Sequence, residues 1–449
     1  MNPSYPEVEQ LLLGRWPETR LEPSLDRIAA LCDLLGDPQR AFGVVHLTGT
    51  NGKTSTSRMI DTLLRALDLR TGRFTSPHLE SMTERISIDG EPLSRELFVE
   101  AFADVAPFAE LVDDRSAAAG GPPLSFFEMV VAMAYAAFAD APVDVAVVEV
   151  GMGGSWDATN VADGQVAVVT PIAVDHAKYL GDRPEIIAVE KAGIIKPGAQ
   201  AVIAEQEPEV LDVLMRRALD VGAVPLREGV DFGVAARANG IGGQQISLQG
   251  IAGRYDDLFL PLHGAHQARN AAYALAAVEA FTGGRELDAD LVRDAFALAT
   301  SPGRMEVVRR GPTVLLDAAH NPHGMQATVE AVQDTFTFSP LVGVVGMMAD
   351  KDVEQVLQVL EPVLAHVVVT QNSTPRSMPA AELGEIAEDL FGEDRVTVVR
   401  RLDDALERAV QLAETAEGFG DEVGGGGVLV TGSVVTVGEA RLLLGGAPS

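Results

Sequence analysis

The chain has one cysteine, Cys32, so no internal disulfide can form. It sits in "LDRIAALCDLLG", whose apolar spacing is that of an amphipathic helix, and its thiol is expected to be buried and inert. No run of about 18 uncharged apolar residues occurs, so no membrane-spanning helix is expected. The opening "MNPSYPEVEQLLLGRW" lacks the basic, apolar, small-residue order of a secretory leader, and the expected compartment is the cytoplasm. Positive charge is scarce. The 34 Lys and Arg stand against 65 Asp and Glu, for a net charge of −31. Nucleic acid and anionic membranes need a basic face, so neither is expected as a partner. Lysine is scarcest of all: Lys53, Lys178, Lys191, Lys196 and Lys351, with arginine supplying the rest. Lys53, Lys191 and Lys351 fall in motif-like strings, where a compact or modifiable amine serves and a guanidinium does not.

What remains is ordinary soluble composition, 47% hydrophobic and 22% charged over 449 residues, enough for two or three domains. Strand and helix patterns alternate for most of the length. "FGVVHLTG" reads as a buried strand and "TSTSRMIDTLLRAL" as the helix after it. "VDVAVVEVG" and "GQVAVVTPIAV" are continuous apolar strands, which suggests a mainly parallel sheet covered by helices. "SFFEMVVAMAYAAFAD" reads as a buried helix, and "DDRSAAAGGPP" before it as a surface loop. Residues 228–262 fit an antiparallel appendage. "SPGR" at 301–304 marks a break, after which a second strand–helix alternation runs from "TVLLDA" onward. The run "EVGGGG" at 422–427 reads as a slack turn. The expected fold class is α/β: an N-terminal phosphate-loop ATPase domain over 1–300, with a mainly parallel sheet, and a smaller Rossmann-like α/β domain over 301–449.

The most specific string is "HLTGTNGKTSTSRM", residues 46–59. It lies between a strand and a helix. The common phosphate loop is G-x-x-x-x-G-K-[ST], but Leu47 stands where its first glycine would be. The loop here is shorter: Gly49, Thr50, Asn51, Gly52, Lys53, Thr54. The physics is the same. Glycines let backbone N–H groups converge on phosphate oxygens, and the helix N-terminus adds positive potential. Lys53 is placed to reach the β- and γ-phosphates, and Thr54 a magnesium ion. Glu149 ends a strand on the side where this loop lies, and a carboxylate there suits magnesium.

The loop, followed in order by "TSPHLESMTERISIDG", "EVGMGGSWDATN", "VDHAKYLG", "EKAGIIKPG", "HQARNAA", "SPGR" and "DAAHNPHG", resembles folylpolyglutamate synthase/dihydrofolate synthase, within the Mur ligase superfamily. The resemblance runs from about residue 15 to the C-terminus. It implies an ATP-dependent carbon–nitrogen ligase. That enzyme would join L-glutamate to dihydropteroate, to the γ-carboxylate of a reduced folate, or to both, through an acyl phosphate. It implies metal ligation by Ser76, Glu149 and His176, two magnesium sites, and carbamylation of Lys191, which turns a cation into an anionic oxygen ligand. It assigns ATP contacts to Thr50, Asn51, Gly52, Lys53, Thr54, Asn270, Arg304 and Asp317, in a cleft between domains whose closure brings Arg304 to the phosphates. Lys53, Lys191 and Arg304 would be the catalytic residues. Substrate contacts fall on Arg15, Trp16, Ser125, Phe126, Phe127, Glu128, Trp156, Asp157 and Ala158. The protein is expected to act as a monomer.

Each assignment has a plainer counterpart. Ser125 followed by Glu128 is a capping box. Lys191 fits a helix-surface lysine paired to a neighbouring glutamate, Arg304 a hinge salt bridge, and Trp16 core packing. Two residues depart from the family pattern. Ser155 stands where arginine is usual, which removes a cation from the substrate side. Lys178 stands where an acidic or neutral residue is usual. The alternative functions are another Mur-type amide ligase acting on a cell-wall or storage-polymer precursor, a nucleotide-switched binding protein, and a folate-binding paralogue with damaged catalysis.

Overall fold

The computed structural model describes residues 3–17, 22–415 and 425–445. The chain forms two compact units. The first comprises Met1–Ala236, Ile246–Phe259 and Arg269–Ala299, and the second Arg237–Gln245, Leu260–Ala268 and Thr300–Ser449.

The first unit is built on eight strands: β1 (Gly43–Thr48), β2 (Thr71–Phe74), β3 (Ile86–Ile88), β4 (Glu91–Pro92), β5 (Val145–Glu149), β6 (Val166–Val169), β7 (Gln200–Ile203) and β8 (Val224–Arg227). Their order across the sheet is β4-β3-β2-β5-β1-β6-β7-β8. The six from β2 to β8 run parallel, and β3 and β4 close one edge antiparallel. The central strands are buried along their length because both faces carry helices, which is why their sequences read as unbroken apolar runs. The helix Lys53–Ala66 turns Met59, Ile60, Leu63 and Leu64 inward. The helix Phe126–Asp140 is buried on nearly every side within an apolar cluster that includes Phe74, Phe98, Tyr135 and Val148. Cys32 lies in the helix Asp26–Leu34, fully buried, and burial pushes its thiol up to about 12.

One expectation fails here. Residues 113–118, read as loop, are the last turns of a helix that spans Arg95–Ala118. Alanine and arginine favour helix strongly, and the chain breaks only at the Gly-Gly-Pro-Pro that follows.

Strands β9 (Gly233–Gly240), β10 (Gly243–Gln249) and β11 (Arg254–Leu260) form a separate sheet in the order β11-β10-β9. Only a two-residue turn separates β9 from β10, a connection open only to antiparallel neighbours. The appendage expected over 228–262 is this sheet.

The second unit holds β12 (Glu306–Arg310), β13 (Thr313–Leu316), β14 (Leu341–Val345), β15 (His366–Val369), β16 (Val396–Val398) and β17 (Gly427–Thr431), in the order β12-β13-β17-β14-β15-β16. All pair parallel except β12, which runs antiparallel on β13. The strand β12, "EVVRR", has little apolar content and carries no strand signal in the sequence. Of the run 422–427, residues 422–424 lie outside the described residues.

Candidate active site

The parallel register brings four strand ends level. Leu47 pairs with Glu149, Thr48 with Val169, and Phe74 with Val148. The loops that leave β1, β2, β5 and β6 therefore open on one edge, the carboxyl edge where open α/β sheets bind ligands. They carry the phosphate-loop string, Ser76, Glu149 and the segment toward His176.

Gly49 has φ 139, and a Cβ there would collide with the Thr170 hydroxyl. Gly52 has φ 91 and opens the helix Lys53–Ala66, and a Cβ there would lie 2.6 Å from Asn270 Oδ1. Both glycines are thus required by backbone handedness and by space. The Thr50 hydroxyl donates to Ala173 O at 2.9 Å and accepts from Ala173 N at 3.0 Å, which fastens the loop to the segment after β6. Asn270, from the helix Ala265–Phe281, is buried beside Gly52. Lys53 Nζ donates to Gly49 O at 3.0 Å and Thr50 O at 3.2 Å, so its ammonium folds back over the loop.

Lys191 ends the helix Pro184–Lys191 and is not a surface lysine. It is 5% exposed, and its Nζ donates to the same Gly49 oxygen at 2.8 Å. Burial, together with the Lys53 charge, lowers its amine to about 7. The surface reading failed because the alternation of "VEKAGIIKPG" is weak and the partner lies 142 residues away.

Glu149 is 1% exposed, and the Thr54 hydroxyl is 3.1 Å from each of its oxygens. Two hard oxygen donors, one anionic, beside a glycine loop with no room for side chains at Gly49 and Gly52 fit magnesium. Ser76 lies half-buried two residues past β2. Its loop is pinned by Glu84, whose carboxylate accepts from Leu79 N, Glu80 N and Ser81 N. His176 has φ 53, and its N–H donates to Asp175 Oδ1 at 2.7 Å. Its imidazole is a softer donor than magnesium favours. Among the described residues no group of three or more His, Cys, Asp or Glu forms a ready-made metal cluster. Lys178 places its ammonium 5.5 Å from the Tyr179 ring centre.

Of the residues expected to contact substrate, Ser125 and Glu128 form the capping box of the helix Phe126–Asp140, and Arg27 holds Glu128 at 3.1 Å. Phe126 N donates to the Trp16 backbone oxygen at 3.1 Å, so Trp16, Ser125 and Phe126 meet. Arg15 is paired with Asp113 at 3.0 Å. The Arg85 guanidinium lies 4.9 Å from the Phe126 ring centre and donates to His78 Nδ1 at 3.0 Å. Phe127 packs edge-on against Phe74 at 5.8 Å. Residues 18–20 of the "RWPETR" string lie outside the described residues.

Asp157 is turned inward. It accepts from Met152 N at 2.9 Å and Thr159 N at 3.0 Å, and burial raises its carboxyl to about 6. It clamps the loop 151–159, with buried Ala158 directly after it. Ser155 leaves no gap where an arginine would be. Its hydroxyl donates to Glu190 O at 3.0 Å and faces Gly193, where any Cβ would collide with it.

In the second unit, Asp317 follows β13 and is 4% exposed. It accepts from Met305 N at 3.0 Å, Ala319 N at 3.0 Å and the Thr328 hydroxyl at 2.8 Å, so it organises the turn that carries Arg304. Arg304 donates from Nη1 to Gly303 O at 3.4 Å. His320 Nδ1 is 3.0 Å from Ala318 O.

Sequence reasoning passed over Glu190, Glu84 and Arg73. The first two act through backbone amides. Arg73 is a cation 2% exposed in β2, donating to the Ser87 hydroxyl at 3.0 Å. "TGRF" offers no sign that its arginine points inward.

The fold and this loop define a Mur-type ligase. Two family models match: the Mur ligase middle domain over residues 126–278, and the Mur ligase, glutamate ligase domain over 303–434. The chain belongs to the dihydrofolate synthase/folylpolyglutamate synthase family. It is 51% identical to the Mycobacterium tuberculosis dihydrofolate synthase/folylpolyglutamate synthase over 458 residues, covering 98% of this chain and 94% of that one. It is 34% identical to the Lacticaseibacillus casei folylpolyglutamate synthase, covering 94% of each. The solved Mycobacterium tuberculosis folylpolyglutamate synthase, complexed with ADP and AMPPCP, matches with a TM-score of 0.94 at 50% identity over 99% of both chains. E. coli FolC in complex with DHPP and ADP matches with a TM-score of 0.85 at 29% identity, over 99% of this chain and 98% of that one. No described helix is long and apolar enough to cross a membrane.

Proposed function

We propose that this ligase joins L-glutamate to dihydropteroate, to the γ-carboxylate of a reduced folate, or to both, at the expense of ATP. The observation that carries the reading is the convergence of Lys53 and Lys191 on the Gly49 carbonyl, in a glycine loop at the carboxyl edge of the sheet. Two lysine nitrogens converge there, Lys53 on its ammonium and Lys191 on an amine whose proton burial makes easy to lose, which suits a site for phosphate and metal. The names of its relatives, and the ADP, AMPPCP and DHPP bound to two of the solved ones, supply the substrate class.

A carboxylate oxygen of the acid attacks the γ-phosphorus of ATP, and ADP leaves. The amine of glutamate then attacks the acyl carbon, phosphate leaves, and the nitrogen gives up its proton to solvent. Backbone N–H groups of residues 51–54 hold the phosphates, the Thr50 N–H being given to Pro171 O at 2.9 Å. Lys53 turns from Gly49 O to the transferring group, and Arg304 neutralises charge that develops on it. Asn270 and Asp317 complete the nucleotide contacts. Ser76, Glu149 and His176 would hold one magnesium ion, and carbamylated Lys191 a second; bound metal supplies charge neutralisation on the phosphates. Arg15, Trp16, Ser125–Glu128 and Trp156–Ala158 form the wall for the acid, with Asp157 shaping it from behind. Residues 1–300 would supply the ATP and folate sites, and 301–449 the ligase domain that meets glutamate. The enzyme acts as a monomer in the cytoplasm, without nucleic acid or membrane partners.

The test is product mass. Purified protein with ATP, magnesium and glutamate is offered dihydropteroate and tetrahydrofolate in parallel. Addition of glutamyl units with matching ADP release supports the reading. Activity only with UDP-linked muramyl acids would move the protein to another branch of the Mur ligases.

A further inference from the structure

The loop that follows β5 and the helix that ends in Lys191 are joined at one residue. Glu190 accepts Ser155 N at 3.0 Å and the Ser155 hydroxyl at 3.0 Å on its backbone oxygen. Its side-chain Oε1 accepts Trp156 N at 3.2 Å. The fit around it is close. A Cβ on Gly153 would lie 2.9 Å from Glu190 Cγ, and a Cβ on Gly154 would lie 2.8 Å from the backbone oxygens of Glu190 and Lys191. The glycines of "GMGGSW" are therefore the condition for the loop to lie flat on that helix end. The next residue, Lys191, reaches Gly49 O at 2.8 Å.

We propose that Glu190 is a positioning residue: it seats Trp156 against the helix that presents Lys191, so that the wall for the acid and the lysine at the phosphate loop form one rigid piece. The inference rests on the proposed function, in which Trp156 lines the acid site. Glu190 touches neither the acid nor ATP. Its carboxylate holds one amide, and that amide fixes where the indole begins. Removing the acceptor frees the Trp156 amide, while the Ser155 bonds to the Glu190 backbone oxygen and the phosphate loop's own contacts with Ala173 stay in place.

Two variants separate the hydrogen bond from the charge. Glu190→Gln keeps an acceptor oxygen at the same reach, and Glu190→Ala removes it. Two readouts are taken: KM for dihydropteroate and for ATP, and hydrogen–deuterium exchange of the peptide spanning 151–160. For Glu190→Ala the expected results are a tenfold or larger rise in KM for dihydropteroate, KM for ATP within twofold of the wild type, and faster exchange in that peptide. Glu190→Gln should restore KM and exchange to within about twofold. The inference is overturned if Glu190→Ala leaves KM for dihydropteroate unchanged, raises both KM values alike, or lowers only kcat. It is also overturned if Glu190→Gln is as damaging as Glu190→Ala, since the charge beside Lys191 would then be what matters. If Glu190→Ala does not fold, Glu190→Gln decides alone: wild-type KM and exchange support the positioning role, and a loss contradicts it. Addition of dihydropteroate to the wild-type protein is the control. If it leaves the exchange of 151–160 unchanged, the substrate assignment fails, whatever the variants do.

Discussion

Lys191 donates to the carbonyl oxygen of Gly49 at 2.8 Å, and Lys53 donates to the same oxygen at 3.0 Å. One lysine belongs to the loop itself and the other arrives from a helix 142 residues downstream. The burial of Lys191, and after it repulsion by Lys53, lower its amine to about 7, which a surface lysine would not show.

That titration has a sign. Unfolded, the Lys191 amine holds its proton up to the ordinary 10.5; folded, it loses it at about 7. Between these values the unfolded chain binds more protons, so stability rises with pH across the window. Lys191→Met removes the effect. Urea unfolding at stepped pH in carbonate-free buffer should give a flatter profile for Lys191→Met than for the wild type between neutrality and pH 10. Parallel profiles would show that the amine is not held neutral.

Replacing Lys53 should act twice. Lys53→Ala removes a cation from the transferring phosphoryl group, and losses of about 10²–10³ in kcat are typical for one such donor. It also removes the neighbouring charge that depresses Lys191. Lysine-selective NMR should then show the Lys191 titration moving to higher pH. A variant that loses activity with the Lys191 titration unmoved would mean the two ammoniums do not sense each other.

Gly49 and Gly222 both have positive φ, at 139 and 64. Only the first is crowded; a Cβ on Gly222 meets nothing within 4 Å. Gly222→Ala should therefore cost about 1 kcal/mol for handedness alone. Gly49→Ala should cost more, because the Thr170 hydroxyl must also be displaced. Equal losses in urea unfolding would contradict the crowding at the loop.

Ser155, where the resemblance leads one to expect arginine, has a post of its own, with its hydroxyl on Glu190 O and its Cβ against Gly193. Ser155→Arg should therefore weaken the acid site instead of restoring it. KM for dihydropteroate should rise by about tenfold, the effect of losing one or two hydrogen bonds worth roughly 1 kcal/mol each. A fall in KM would show that the missing cation was the limiting feature.

How much of this was readable in the chain depends on where the partners lie. The central strands β1, β5 and β6 were plain because burial on both faces leaves unbroken apolar runs. The glycine loop between β1 and the helix Lys53–Ala66 was legible because its glycines, lysine and threonine are contiguous. The position of Glu149 followed from its place at a strand end. Lys191 was obscured because its burial is decided by a loop far away in sequence. Glu190 and Glu84 were invisible for a related reason. They bind backbone amides, and amides have no letter in the sequence. The helical ending of Arg95–Ala118 is hard to read because its charged, alanine-rich stretch runs straight into the Gly-Gly-Pro-Pro break. The strand β12 was missed because a strand on the sheet edge needs little apolar content.

The central claim is that the acid is activated by phosphorylation. Dihydropteroate labelled with ¹⁸O in its carboxylate, incubated with ATP, magnesium and glutamate, tests it directly through the ³¹P spectrum of the products. One ¹⁸O should appear in inorganic phosphate for each amide formed, with none in ADP. Label in AMP, or amide formed with no label in phosphate, would contradict the account.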